Sequence, residues 1–179
     1  MAPLLSQYAR KRKLEHFFGY VDRGARILEV GCADGWVGSY AIGNGWTDFV
    51  GIDLAQPATP PSHEFVCGDV NTWRELGLAP ESFDAIIAFE VIEHGDFFDS
   101  LHALLRPGGK LIVTTPKPNM DWACRILESV GLNQRRTSPH THLIDLRDLP
   151  EGFRPVEVSV KAFISQWGVF EKVPEPARR

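Results

Sequence analysis

Two rhythms of apolar and polar residues run along this chain. Over residues 4–21, Leu14, Phe17, Phe18 and Val21 recur at i, i+3, i+4 and i+7, with Leu5 and Tyr8 extending the same side. That spacing predicts an amphipathic helix. Gly24 precedes a short apolar run at 26–30, read as a first strand. Trp36 to Ile42 predicts a second helix, closed by Gly43-Asn44-Gly45 as C-caps are. Residues 49–53 and 64–67 read as the second and third strands, and 72–76 as a weak helix. Between those strands, Gln56-Pro57-Ala58-Thr59-Pro60-Pro61 predicts a surface loop in place of a crossover helix, because its prolines break one. Residues 83–89 are apolar without alternation, as in a strand covered on both faces. A helix over 97–105, stopped by Pro107-Gly108-Gly109, leads into a fifth strand at 110–115. A further helix is expected over 120–130, with Trp122, Ile126 and Val130 on one face, before a polar irregular stretch at 131–142. Two alternating runs, 155–162 and 166–173, predict an antiparallel hairpin, with a frayed tail from Pro174. Strands alternating with helices give an α/β fold with a mostly parallel sheet.

The chemistry gathers where strands end. Ile27-Leu28-Glu29-Val30 breaks into Gly31-Cys32-Ala33-Asp34-Gly35, and a helix follows at once. A buried strand, a tight turn of small residues and a helix N-terminus form the layout of a nucleotide-binding βα unit. Small residues let the backbone approach a ligand where a Cβ would collide. The turn also presents backbone N–H groups to the ligand's polar end. Asp53 lies about 20 residues further on, at the end of the second strand, where a carboxylate can accept both hydroxyls of a ribose. The bland alternative is a loop Asp capping the next turn. Asp69 could accept an exocyclic amine, or cap the turn near Thr72. Glu29 puts a carboxylate at the end of an apolar strand, where burial is costly. A dinucleotide fingerprint fails here. It needs glycines at 31, 33 and 36, and this chain has Gly31, Ala33 and Trp36.

Taken together, these segments resemble class I S-adenosylmethionine-dependent methyltransferases of the small single-domain kind. Glu29–Gly35 looks like their glycine-rich motif, and Gly51-Ile52-Asp53-Leu54 like their acidic second-strand end. Cys67-Gly68-Asp69-Val70 resembles the segment beside the adenine. Phe83–His94 is similar to their fourth-strand motif, and Leu104–Leu111 to the turn into their fifth strand. The resemblance implies a Rossmann-like, doubly wound, mostly parallel seven-stranded sheet with a C-terminal antiparallel hairpin. It implies S-adenosyl-L-methionine as cofactor, bound by Glu29, Gly31, Ala33, Gly35, Asp53, Leu54, Asp69 and Val70, with the backbone near Ala88 and Phe89 at its amino-acid end. Residues 1–179 would form one domain, with 1–22 as a helical lid and 116–142 as an acceptor-side segment.

Methyl transfer from a sulfonium is an in-line displacement, and holding the nucleophile in line supplies an effective molarity of ~10⁵–10⁸ M. A hydroxyl acceptor still needs a base or a metal. Glu90, Glu93 and His94 follow the fourth strand, and His140 and His142 lie further on. The run is similar to that of metal-assisted O-methyltransferases, in which a later His joins it. His142 matches that position best and His140 is the alternative, so Glu90, Glu93, His94 and His142 are candidate ligands for Mg or Mn. Glu93, His94 and His142 are also the candidate catalytic residues. His16, His63 and His102 have no acidic company in the sequence and are expected to be surface or packing residues.

Composition narrows the picture. Hydrophobic residues make up 44% and charged residues 23%, ordinary for a globular protein. A net charge of −4 argues against a broad nucleic-acid footprint. The run Arg10-Lys11-Arg12-Lys13 allows a local one, but a solvated helix face is the plainer expectation. Arg135 and Arg136 could meet a phosphorylated acceptor. Three dispersed cysteines fit no disulfide or metal framework, so a cytoplasmic setting is expected. No apolar stretch approaches the ~20 residues of a membrane span, and no secretory h-region is present. The expected reaction is methyl transfer to a small-molecule, glycan or lipid-type acceptor, with oxygen favoured. The alternatives are a metal-assisted RNA 2′-O-methyltransferase and a cofactor-binding protein without transferase activity.

Overall fold

A computed structural model of the chain describes residues 4–118 and 144–173. Its elements in chain order are α1 (Leu4–Phe17), β1 (Ile27–Val30), α2 (Trp36–Gly43), β2 (Phe49–Asp53), β3 (Glu64–Cys67), β4 (Phe83–Phe89), α3 (Phe98–Leu104), β5 (Leu105–Pro116), β6 (Phe153–Lys161) and β7 (Ser165–Lys172). The seven strands form one sheet in the order β3-β2-β1-β4-β5-β7-β6. The ladders joining β3, β2, β1, β4 and β5 are all parallel. Strand β7 runs antiparallel to both β5 and β6. This is the expected doubly wound sheet with a terminal antiparallel hairpin.

The period of two in each strand divides the core. Ile27, Phe49, Ala85, Ile87, Ile112 and Val169 face one side and pack with Phe17 and Phe18 and with Val37 and Ala41 of α2. Leu28, Val50, Ile52, Ile86, Leu111, Val113 and Phe170 face the other and pack on Phe98, Leu101 and Leu104 of α3 and on Trp73. Both sheet faces are covered, which is why β4 carries no polar alternation.

Several boundaries differ from the periodic reading. The first helix stops at Phe17 and tightens into a 3₁₀ turn, Phe18–Tyr20. Leu14, Phe17, Phe18 and Val21 are buried as their spacing predicts, but Tyr8 is exposed. The weak helix expected at 72–76 is a 3₁₀ turn at Val70–Thr72. Strand β5 starts at Leu105, earlier than expected: Leu105 pairs Phe83, and the ladder resumes at Lys110 opposite Ala85, so Pro107-Gly108-Gly109 forms a bulge inside the strand. Pairing to β4 overrides the local stop signal. The segment 54–63 is irregular, as its prolines predict. The helix expected at 120–130 and the stretch 131–142 lie outside the described residues. Among those described, no helix is long and apolar enough to cross a membrane.

Candidate active site

The chain leaves β1 toward β2 and β3 on one side and returns to β4 on the other. Above the carboxyl ends of β1 and β4 lies the crevice where open α/β sheets bind ligands. The turn 31–35 forms its floor. Gly31, Ala33 and Gly35 all have positive φ, at 74, 44 and 69°. The Gly31 and Cys32 N–H groups both donate to the Ile52 carbonyl, at 2.8 and 3.3 Å. The turn is thereby stitched to β2. A Cβ on Gly31 would stand 2.3 Å from a methyl of Val91, so glycine is required by space as well as by backbone.

Asp53 ends β2 and reaches this turn. Its Oδ2 accepts the Ala33 N–H at 2.8 Å, and its Oδ1 accepts the Ala55 N–H at 3.2 Å. The capping reading of Asp53 holds, and the same carboxylate stands against the turn at the crevice floor. Leu54 beside it is 75% exposed, an apolar surface presented at the rim. Asp69 caps the Val70–Thr72 turn through the Asn71 N–H at 2.9 Å. Its position is fixed to β2 by the Gly68 N–H donating to the Asp53 carbonyl at 2.9 Å.

Glu29 is buried under the turn. Burial pushes its carboxyl well above the usual range, and the Asp34 and Asp53 charges add to this, against a lowering by the Gly38 backbone. Cys32 is buried beside it, and desolvation raises its thiol to about 12. That thiol is inert at neutral pH.

The far wall is built by the end of β4. Ala88 is buried, and the Phe89 ring packs against Phe17 at 5.3 Å and Trp36 at 6.0 Å. Glu90 adopts φ +55°, rare for a residue with a side chain. Its Oε1 receives Lys13 Nζ at 2.5 Å and the Thr114 hydroxyl at 2.8 Å. Glu93 is fully buried in the 3₁₀ turn Ile92–His94, and its Oε2 accepts the Thr115 hydroxyl at 3.1 Å. Burial, then the neighbouring Glu90 charge, pushes its carboxyl up to about 8. At neutral pH Glu93 is therefore mostly protonated.

The helix α1 forms the roof. The basic run expected to be solvated is split by helical geometry: Lys11 and Arg12 face out, while Arg10 and Lys13 face in. Arg10 lies 3.6 Å from Asp34 and 4.8 Å above the Trp36 ring. The lower end of α1 is pinned by Glu157 of β6, which accepts the Tyr20 hydroxyl and lies 3.2 Å from His16 Nε2. The expectation that His16 lacks acidic company is corrected, since Glu157 is 141 positions away in sequence and adjacent in space. His63 is a packing residue, as expected. Its ring fits against Gly38 and Gly51, where a Cβ would stand 2.2 and 2.9 Å from it. His102 packs edge-on against Phe153.

The described part of this wall is already occupied by a cation of the chain's own, the Lys13 ammonium. Among the described residues, no group of three or more His, Cys, Asp or Glu is arranged to hold a metal ion. Glu90 Oε1 already holds an ammonium and a hydroxyl. His140, His142, Arg135 and Arg136 lie outside the described residues. The two ends of that segment are tied together by Gln166, whose Nε2 donates to the carbonyls of Pro116 and Ile144 at 3.2 and 2.8 Å. Lys13, Thr114 and Thr115 escaped the sequence reading. The one available signal was a pair of threonines ending an apolar strand.

Residues 5–154 match the family described as methyltransferase domain. The chain is 29% identical over 160 residues to a ubiquinone biosynthesis O-methyltransferase of Sinorhizobium fredii, covering 83% of this chain and 64% of that protein. It is 29% identical over 138 residues to a probable S-adenosylmethionine-dependent methyltransferase of Mycolicibacterium smegmatis, covering 72% of this chain and 49% of the relative. The chain thus spans about half to two thirds of the length of these relatives. In fold it is similar to a Burkholderia thailandensis 1,6-didemethyltoxoflavin-N1-methyltransferase crystallised with S-adenosylhomocysteine. That match has a TM-score of 0.65 at 15% identity and covers 93% of this chain and 79% of that one.

Proposed function

The chain belongs to the methyltransferase domain family, and from that premise we propose that it binds S-adenosyl-L-methionine in the β1–β4 crevice and methylates an oxygen of a small-molecule acceptor. One observation carries the reading. The left-handed turn 31–35 and the Asp53 carboxylate are locked together by the 2.8 Å bond from the Ala33 N–H. This sets an open backbone cradle beside a carboxylate that suits a ribose diol.

In this reading Asp53 holds the ribose, Leu54 and Val70 flank the base, and Asp69 accepts its amine. Gly31, Ala33 and Gly35 give the backbone its close approach, and Glu29 braces the turn from below. The backbone at Ala88 and Phe89 borders the amino-acid end. Bound there, the cofactor supplies an electrophilic sulfonium methyl. Residues 88–94 align the acceptor oxygen with it. His94 would take the proton that the acceptor hydroxyl gives up on methylation. Glu93, mostly neutral at pH 7, orients the turn that carries His94. The segment 116–142, including His142, would cover the acceptor. The Sinorhizobium relative's name, a ubiquinone biosynthesis O-methyltransferase, supports a small-molecule oxygen acceptor. No observation favours RNA.

Calorimetry with S-adenosylhomocysteine tests this. Wild-type protein binds it, and Asp53→Asn weakens binding roughly 10–100-fold by removing a charged acceptor. No affinity for S-adenosylhomocysteine, together with binding of a nicotinamide dinucleotide, would refute the reading.

A further inference from the structure

We infer that the Lys13 ammonium, carried on α1, takes the carboxylate that a divalent cation would need, and so acts as the fixed cation on the acceptor side of the crevice. The inference rests on the methyltransferase reading of that crevice. Lys13 Nζ lies 2.5 Å from Glu90 Oε1 and 3.0 Å from Thr114 Oγ1. The Thr114 hydroxyl donates to the same Glu90 oxygen at 2.8 Å. Both lone pairs of Oε1 are engaged here, and a divalent ion on Oε2 would still lie against the ammonium held by the same carboxylate. Thr114 is fully buried and the Lys13 side chain is 14% exposed, while the Glu90 side chain is 41% exposed, so water screens the pair from the carboxylate side only.

The arrangement is built rather than incidental. Glu90 is held at φ +55°, a conformation that costs a side-chain-bearing residue energy and persists only where its surroundings enforce it. Its own N–H is fixed to the Thr114 carbonyl at 2.8 Å. The backbone therefore aims the carboxylate at the place where α1 delivers its ammonium. A divalent ion on that oxygen would sit beside a unit positive charge within hydrogen-bond range, and the repulsion opposes it.

The ammonium has three N–H donors. Two go to Glu90 and Thr114, and the third meets no acceptor among the described residues. That third donor is the one assigned to the acceptor oxygen. Arg10, one turn earlier, spans from Asp34 to Trp36, so the helix that carries the ammonium is also anchored to the turn 31–35. Lys13 is thus the cation of that wall in addition to a roof anchor.

The test is Mn²⁺ uptake by the full chain, read by electron paramagnetic resonance with no acceptor present. Wild type and Glu90→Gln take up Mn²⁺ equally weakly. Lys13→Met gains roughly tenfold in affinity, and adding Glu90→Gln to it removes the gain. Wild type binding roughly tenfold tighter than Glu90→Gln, or a Lys13→Met protein that gains nothing, overturns the inference. Calorimetry with S-adenosylhomocysteine on the same samples separates the two claims. Failure of wild type to bind it sinks the cofactor reading whatever the Mn²⁺ result, and binding by Lys13→Met certifies that the variant is folded.

Discussion

Replacing Gly31 with alanine tests the turn on which the site is built. The new Cβ would lie 2.3 Å from the nearer Val91 methyl, whereas carbon atoms sit best at about 3.5–4.0 Å. Val91 or the turn must move by more than about 1 Å, roughly the scale at which overpacking costs about 1–3 kcal/mol. Gly31 also has φ +74°, and an alanine held there costs roughly 1–2 kcal/mol. The stiffer unfolded chain returns about 0.4–1 kcal/mol. The net loss is about 2–4 kcal/mol. Gly108 provides the control. It has φ +77°, and a Cβ added there would meet nothing within 4 Å, so Gly108→Ala carries only the backbone cost, about 1 kcal/mol. Urea unfolding of both variants gives the comparison. Val91→Ala in the Gly31→Ala background removes the offending methyl and should show a favourable coupling of about 1–2 kcal/mol. Equal losses at positions 31 and 108, or no coupling to position 91, would refute the packing argument.

Three other outcomes are expected. Ala33 sits at φ +44° and is exposed, so Ala33→Gly relieves strain at little packing loss. It should raise the midpoint of urea unfolding by an amount worth up to about 1 kcal/mol, and a loss would contradict this. Glu93→Gln tests the buried carboxyl. With its folded value near 8 and an unfolded value near ~4.3, the folded state keeps a proton that the unfolded chain releases. Wild-type stability is therefore lost as pH rises from about 4.3 and stops falling above 8. The Gln variant escapes this, so its advantage grows between about pH 5 and 8 by up to about 1.4 kcal/mol per unit. A pH-independent difference would overturn the assignment. Lys172 is buried with Glu81 Oε1 at 3.0 Å and the Leu105 carbonyl at 2.8 Å. Glu81→Gln should destabilise by roughly 1–3 kcal/mol by stranding the ammonium, while Lys172→Met stays near neutral. The reverse order in thermal melts would count against this.

The elements that sequence placed best are those whose signal is local. Strands β2, β3 and β4 fall on their predicted residues because each is a short apolar run between turn residues. The proline-bearing loop after β2 is irregular for the same local reason. Boundaries failed where a neighbour decided them. Leu105 joins β5 because Phe83 pairs with it, and no residue near 105 encodes that partner. Asp53 and Asp69 were legible as strand-end carboxylates and as possible caps, and the loops in place supplied the N–H groups they cap, those of Ala33, Ala55 and Asn71.

From the residues alone came the order of strands and helices, the edge of the sheet at which polar side chains gather, and the need for small residues at 31–35. Periodicity and steric size carry that information, and both act over a few neighbouring residues. Tertiary structure alone decided which distant groups meet. Lys13 reaches Glu90 across 77 positions and Thr114 across 101, and Glu157 receives Tyr20 across 137. A helical pattern states which face of α1 turns inward. The sheet packed beneath it determines what that face touches, and so whether a lysine in a basic run is a solvated charge or the cation of a site.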